Sequence, residues 1–375
     1  GDFDIAMGTL IAYMQWGEFM YQNGVQVKDA CGFPISYKEA AEKSIKALVD
    51  TVPNFNGDPN FKAYISGVIG IDGYVKSGNT WGELTTWRMT QNTYPWAKTA
   101  PTLGGNYGAH YFDYNAPSYL NEFAYFLENG GNGNAWQINQ LKRAEASSDF
   151  LMGEAYKQGN IASIGKVYCT TDGTFTFGPF NGGEDFRASW RTILNYLWHG
   201  NPTTSWDPVT HQVKAGGNTF ERDMGIRHAS HCKSPSLGGT QICARLGASP
   251  DAGQPKWWGV AHIPQCWGQT GETEIDFSGS NYALGTSAPA AVASEDLELI
   301  ADMYRQSELV WDDASTESKF LTDDERYIKS TPKYFHGIFR VIGLLANSGN
   351  LHAPRNMVPA ANMKVYMSVD KTYAY

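Results

Sequence analysis

Carboxylates stand at the start of two stretches that have the pattern of buried helices, and paired carboxylates can act as general acids and bases. Asp2 and Asp4 open the first stretch, where a helix N-terminus stabilises negative charge. Glu184 and Asp185 open the second, and Arg187 follows three residues after Glu184. A neighbouring arginine lowers the pKa of a carboxylate, which suits a general base. The simpler alternatives are that Asp2 and Asp4 cap their helix and that Glu184 only pairs with Arg187.

The elements that must position these side chains are predominantly helices. Residues 4–21 are hydrophobic around every side of a helical wheel, which predicts an inner helix. Ser36 and Glu39 form a capping box that opens a second helix through Val49, and one apolar stripe places this helix in an outer layer. Long loops, with a short strand pair around 64–74, are predicted for residues 53–115. Further helices are predicted at 118–127, 136–156, 185–198, 294–310 and 332–345, with another capping box at 322–325.

Inner and outer helices that alternate and are joined by long loops are typical of an all-α toroid, in which the loops at one end form a cleft. We therefore predict one toroidal domain over 1–351, with a Cys-containing insertion at 199–279 and a C-terminal extension at 352–375. Aromatic residues make up 14% of the chain, and rings with polar edges suit stacking against sugars. The alternative is that most of these rings belong to the core.

Charge and cysteine usage narrow the class of protein. The net charge of -9 and the absence of a basic run argue against a nucleic-acid partner, and no stretch is long and apolar enough for a membrane span. Cys232 and Cys243 bracket a loop rich in Gly, Ser and Pro, which favours a disulfide and a secreted or cell-surface location. His228 and His231 lie beside Cys232 without a fourth spaced ligand, so we predict solvated histidines and no metal site.

Several motifs resemble those of glycoside hydrolase family 8. The stretch from Gly1 to Ala6, followed by Ala12 and Trp16, is similar to the active-site signature of the family, although Gly8 and Thr9 depart from it. The stretches 116–119, 184–191 and 285–290 are similar to its Asn-Pro-Ser-Tyr motif, its general-base segment and one of its helix starts. The resemblance covers nearly the whole chain but not the insertion at 199–279.

The resemblance implies an (α/α)6 toroid and a set of site residues. Asp2 becomes a cleft residue, and Tyr119 points toward the attacking water. Glu184 stands where the family has an Asp base, so either Glu184 or its neighbour Asp185 is the expected base. The implied substrate-binding residues are Tyr119, Arg187, Trp16 and the loop rings Trp81, Trp87 and Trp96.

The implied activity is inverting, endo-acting hydrolysis of a β-1,4-linked polysaccharide such as cellulose, mixed-linkage glucan or xylan, without a cofactor. The acid of the family is a Glu in a Ser-Glu-Gly-x-Gly-Tyr motif, which these 375 residues lack. We therefore expect the acid, and a first helical hairpin, on a segment that precedes Gly1 or is a separate piece. Ile5, Leu10 and Trp16 should then be largely buried.

Two alternatives to a hydrolase remain open at this point. The first is a non-catalytic glycan-binding or scaffold protein on a degenerate hydrolase fold. The second is a polysaccharide lyase on a similar toroid, which would need a Tyr/His or Arg/Tyr pair and a basic cleft for uronate. The acidic balance of the chain disfavours the lyase.

Overall fold

Helices dominate the part of the chain that the structure describes. The computed structural model describes residues 1–49, 67–70, 73–76, 109–111, 114–157, 166–169, 175–178, 185–233, 266–267, 274–276, 281–308, 311–312, 319–320 and 333–357. The helices are α1 (Asp2–Trp16), α2 (Tyr37–Val49), α3 (Pro117–Asn129), α4 (Ala135–Lys157), α5 (Asp185–His199), α6 (Phe220–Lys233), α7 (Asn281–Ala293), α8 (Leu297–Glu308) and α9 (Lys333–Asn347). A 3-10 turn follows at Pro354–Asn356.

The strands are short and form small antiparallel sheets. They are β1 (Tyr21–Gln22), β2 (Val25–Gln26), β3 (Ala109–Tyr111), β4 (Lys166–Cys169), β5 (Phe175–Gly178), β6 (Thr204–Asp207), β7 (Gln212–Ala215), β8 (Cys266–Trp267), β9 (Glu274–Asp276), β10 (Trp311–Asp312) and β11 (Lys319–Phe320). The order β3-β4-β5 gives one three-stranded sheet, and the other strands of the described residues pair as hairpins. None of the described helices is long and apolar enough to cross a membrane.

The helices alternate between an inner arc and an outer layer. The inner helices are α1, α3, α5, α7 and α9. From α1 to α7, each inner helix contacts the next one in this series. α9 then packs against α7. The outer helices pack behind them, α2 on α1, α4 on α3 and α6 on both α5 and α7. The predicted all-α architecture of inner and outer helices is confirmed.

α2 shows how local sequence sets an outer helix. The backbone N–H of Glu39 donates to Ser36 Oγ over 3.0 Å, which is half of the predicted capping box. Ala41, Ile45 and Leu48 form one buried stripe, as expected for an amphipathic helix on the outside of the toroid.

The prediction that α1 is buried on every side is wrong. Leu10 is fully buried, but Ile5 and Trp16 are 63% and 58% exposed. The reason is that α1 packs mainly against α2, so the larger buried side chains are confined to the face that carries Phe3, Met7 and Leu10. Apolar composition alone does not distinguish a helix covered on one face from a helix covered on all faces.

The insertion at 199–279 contains regular structure that the sequence did not predict. The hairpin β6–β7 packs on α4, and α6 packs between α5 and α7. His228 of α6 is fully buried and its Nε2 lies 3.0 Å from Ser287 Oγ, so the prediction of a solvated histidine is wrong there. The sequence does not indicate α6, because its buried stripe of Phe220, Met224 and Ala229 is interrupted by the buried polar residues Glu221 and His228.

The last part of the arc differs from prediction in its boundaries. One helix was predicted at 294–310, but α7 ends at Ala293 and α8 begins at Leu297. The motif at 285–290 lies inside α7 and does not begin a helix, so Pro289 is a helix-interior proline. α9 crosses α7 very closely, because a Cβ added to Gly343 would lie 2.8 Å from the Cα of Gly285.

Some predictions fall on residues that the structure does not describe. They are the capping box at 322–325, the loops at 53–66 and 77–108, and the pairing of Cys232 with Cys243. Cys31 is exposed and has a free thiol. The strand pair predicted around 64–74 corresponds, within the described residues, to an antiparallel bridge between Ile69 and Val75.

Two helical glycines allow a matched stability test. We expect Gly8→Ala to stabilise the fold by about 0.5–1 kcal/mol, because alanine favours helices and no atom lies within 4 Å of the added Cβ. Gly225→Ala should destabilise it, since the new Cβ would lie 2.7 Å from the Cβ of Ala293. Urea unfolding of both variants measures the difference. Equal effects at Gly8 and Gly225 would contradict the packing described for α1 and α6.

Candidate functional site

A cavity of about 880 Å³ lies in the middle of the helical arc. α1, α5 and α9 supply most of its walls, and residues 350–357 contribute another side. Its lining is predominantly apolar or aromatic, with few polar groups, as expected of a site that binds a small molecule or a sugar. The side chains that the following argument uses are Asp4, Gln15, Tyr119, Trp190, Arg191 and Trp198.

An ion pair between α1 and α5 is the charged centre of this cavity. Arg191 Nη2 donates to both carboxylate oxygens of Asp4, over 2.9 and 3.0 Å. The Arg191 side chain is 6% exposed, whereas that of Asp4 is 47% exposed and faces the open space. Burial acts to raise the pKa of Asp4, but the Arg191 guanidinium and the ammonium group of Gly1 together lower it below the ordinary value. Asp4 is therefore a carboxylate at neutral pH.

Tyr119 completes the polar part of the cavity from the first turn of α3. The guanidinium carbon of Arg191 lies 5.5 Å from the centre of its ring, and Trp198 stacks on the ring at 6.0 Å. Ser118 Oγ also donates to the backbone oxygen of Arg191, over 3.4 Å, so α3 and α5 are held together here. Burial raises the pKa of Tyr119, which keeps its hydroxyl protonated and able to donate a hydrogen bond.

The structure places the predicted base only in part. Asp185 is the first residue of α5, less than two turns before Arg191. For Asp185 and Arg187 the structure describes the backbone alone, and Glu184 lies outside the described residues, as do the loop rings Trp81, Trp87 and Trp96. The start of α5 thus lies within two helical turns of the Asp4–Arg191 pair. The choice between Glu184 and Asp185 as the base stays a prediction.

Two other predicted residues lie away from the cavity. Asp2 is exposed on the first turn of α1 and is not among the residues that line the cavity. Trp16 is at the far end of the same helix, where its ring lies 5.7 Å from that of Tyr37. Asp4 lines the cavity, whereas the sequence motif favoured Asp2 as the cleft residue.

A spacing in the sequence could have identified Asp4. Asp4, Gly8, Ile11 and Gln15 follow one another at i, i+4, i+7 and i+11, the stripe of one helix face, and all four line the cavity. Trp190 and Trp198 are likewise two turns apart on α5. The partner of Asp4, Arg191, is distant by 187 residues, which no local pattern indicates.

No metal site emerges from the part of the chain that is described. Within it, no three His, Cys, Asp or Glu side chains are grouped so that they could hold a metal ion. The His228 ring, which the sequence analysis considered beside Cys232, is engaged with Ser287 instead.

Comparisons with known proteins identify the fold. No family model and no curated protein matches the chain. Among solved structures, the apo β-1,3-1,4-glucanase from Paenibacillus sp. X4 matches with a TM-score of 0.53 and 13% identity, over 94% of this chain and 66% of the glucanase.

Two xylan-related structures also match, at lower TM-scores. A reducing-end-xylose releasing exo-oligoxylanase matches at a TM-score of 0.44 and 13% identity. The match covers 94% of this chain and 67% of the exo-oligoxylanase. A double mutant of Rex8A from Paenibacillus barcinonensis matches at 0.48, with 13% identity, over 93% of this chain and 66% of its own length. The chain thus spans about two thirds of the length of these proteins.

These matches bear on the fold alone, because the identities are low. The match to the glucanase covers 94% of the chain, so it extends into the insertion at 199–279, and its TM-score is above 0.5. The resemblance to glycoside hydrolase family 8 that the sequence motifs indicate is therefore confirmed at the level of the fold, and the chain has the helical fold of the glucanase.

Proposed function

We propose that this chain is part of a glycoside hydrolase that cleaves a β-1,4-linked polysaccharide with inversion, and that its cavity binds the sugar. The observation that carries the proposal is the Asp4–Arg191 pair beside Tyr119, in an apolar cavity that the stretches 1–16, 116–119 and 184–191 help to form. The glucanase fold supports the same reaction class. A secreted or cell-surface location fits a polymeric substrate and is part of the proposal.

The cavity groups suit a sugar ring. The ionised Asp4 accepts hydrogen bonds from sugar hydroxyls, and the protonated hydroxyl of Tyr119 donates one. The half-buried ring of Trp198 offers an apolar surface on which pyranose C–H groups can pack, and the buried ring of Trp190 supports the cavity wall. Arg191 holds Asp4 in one orientation over two hydrogen bonds, so the carboxylate is positioned before the substrate arrives.

The reaction needs two further carboxyl groups. In an inverting glycosidase one carboxylate activates water about 6.5–9.5 Å from the carboxylic acid that protonates the leaving oxygen. We assign the base to Glu184 or Asp185 at the start of α5, where Arg187 would keep it ionised. We assign the acid to polypeptide outside residues 1–375, because the acid motif of the resembled family does not occur in them.

The substrate class follows from chemistry that the cavity can provide. Its few charged groups are paired, which suits a neutral polymer such as mixed-linkage glucan, cellulose or xylan better than a polyuronate. The glucanase whose fold the chain shares acts on β-1,3-1,4-linked glucan, so mixed-linkage glucan is the first substrate to test.

Tyr119→Phe tests whether the cavity is the site. The variant keeps the buried ring and removes only the hydroxyl, so we expect kcat/KM on mixed-linkage glucan to fall about tenfold, the worth of one hydrogen bond. The assay is reducing-sugar release by the full natural protein. Tyr13→Phe, on the half-buried face of α1 against Phe126, is the matched control. Unchanged activity in Tyr119→Phe would move the site elsewhere, and glycan binding without sugar release by the parent protein would favour the non-catalytic alternative.

A further inference from the structure

A second pocket, of about 380 Å³, is lined largely by polar residues and shares none of its lining residues with the cavity. Glu145 of α4 and Asn195 of α5 are among its lining residues. Behind them are Asp149 of α4 and Glu221 of α6, which are 3% and 0% exposed. None of these groups has a role in the proposed hydrolysis.

The buried oxygens of this group lack ordinary hydrogen-bond donors. Within the described residues, both carboxylate oxygens of Asp149 and Oε2 of Glu221 receive no hydrogen bond from an N–H or hydroxyl group. The other oxygen of Glu221, Oε1, accepts from Asn195 Nδ2 over 3.0 Å. Two ionised carboxylates at such a place would be costly, because burial penalises each charge and each repels the other.

A shared proton satisfies these oxygens. Asp149 and Glu221 lie within hydrogen-bonding reach of each other, and two carboxyl groups can bond only when one of them carries a proton. A metal ion would be the other solution, but within the described residues no three acidic or His side chains are grouped to hold one. The arrangement is the one that protonated carboxyl pairs adopt elsewhere in proteins.

Neighbouring cations do not neutralise the pair, since they are engaged by other carboxylates. Lys142 pairs with Glu128 over 3.0 Å, and Arg355 pairs with Glu122. His199 of α5 faces Glu122 as well, and burial lowers its pKa to about 4, so it is neutral. The remaining titratable neighbour is Glu145, whose pKa burial and the charge of Asp149 raise to about 8.

We propose that Asp149 and Glu221 form a protonated carboxyl pair, that this pair joins the outer helices α4 and α6, and that the fold loses stability as the pH rises from about 5 to about 8. The proposal is independent of the hydrolase assignment. Burial raises the pKa of Glu221 to about 8 and that of Asp149 well above its ordinary value. In the unfolded chain a Glu titrates near 4.5, so the contribution of the proton is complete below that pH and is lost as pH rises through about 8.

The test compares the pH dependence of unfolding in matched variants. Between about pH 5 and pH 8 the folded protein keeps a proton that the unfolded chain has lost. The equilibrium constant for unfolding therefore rises about tenfold for each unit by which the pH rises. In Glu221→Gln the logarithm of the unfolding constant should rise by about one less per pH unit than in the wild-type protein. The reason is that the amide N–H₂ then donates to an ionised Asp149 in place of the proton. Glu154→Gln is the control, since Glu154 is on α4 but pairs with Lys157 at the surface.

A second measurement does not depend on the variants folding. Infrared spectra of the wild-type protein at neutral pH should contain the carbonyl band of a buried protonated carboxyl group. The band should disappear as the pH rises through about 8, and the melting temperature should fall between about pH 5 and pH 8 and then level off. An unchanged slope in Glu221→Gln overturns the proposal, and so does the absence of a protonated carboxyl band in the neutral wild-type spectrum.

Discussion

Glu184→Gln is expected to lower kcat on mixed-linkage glucan by about 10²–10⁴-fold while glycan binding persists, because that is the usual loss when a positioned general base is removed. Glu184 stands three residues before Arg187, as the base does in the resembled motif, and a glutamine of the same shape cannot accept a proton from water. The measurement is steady-state sugar release by the full natural protein, with binding followed separately by titration calorimetry.

Asp185→Asn is the matched comparison, because Asp185 is the adjacent carboxylate and begins α5. If Glu184 is the base, Asp185→Asn should change kcat much less. The reverse result, a mild Glu184→Gln and an inactive Asp185→Asn, would place the base one residue later. Mild effects in both variants, with binding retained, would replace hydrolysis by a non-catalytic role in glycan binding.

Arg355→Met is expected to cost about 3 kcal/mol of unfolding free energy at neutral pH. Glu122 is 1% exposed, and it accepts hydrogen bonds from the backbone N–H and from Nε of Arg355. Removal of one partner of a buried pair leaves an uncompensated charge, which typically costs about 3–5 kcal/mol, and we take the lower end because Arg355 is 23% exposed. Urea unfolding measures the change.

Two further variants separate the ion pair from lost packing. The double variant Glu122→Gln with Arg355→Met removes both charges and should recover much of the loss. Arg222→Met, at an exposed position on α6, should change stability by less than about 0.5 kcal/mol. A cost at Arg355 no larger than that at Arg222 would show that residues 351–357 are not held to α3 by this pair.

Local signals were sufficient for much of the fold. The capping box at Ser36 and the stripe of Ala41, Ile45 and Leu48 predicted α2 correctly, because both depend on residues within a few turns. Ile5 and Trp16 were mispredicted, because burial of α1 depends on which neighbours cover each face. α6 was missed because the buried Phe220 and Met224 share their helix face with the buried polar residues Glu221 and His228, which mask the apolar stripe.

The site was predictable to a smaller extent. Motif resemblance located Tyr119 and the start of α5, and the structure places Tyr119 beside Arg191. It favoured Asp2 over Asp4, because Asp2 occupies the position of the signature Asp, whereas the local requirement for an acid at a helix N-terminus is met by both. The distinction comes from Arg191, which only the folded chain brings to Asp4.

The crossing of α7 and α9 has a consequence for how this fold can diverge. Pro289 has no N–H, so the carbonyl oxygen of Gly285, four residues earlier, lacks its helical partner. At the same crossing, a Cβ added to Gly343 would lie 2.8 Å from the Cα and 3.4 Å from the carbonyl oxygen of Gly285. The crossing therefore depends on the missing side chain of Gly343, and surrounding side chains can change over evolution without shifting the two helices as long as this residue remains glycine.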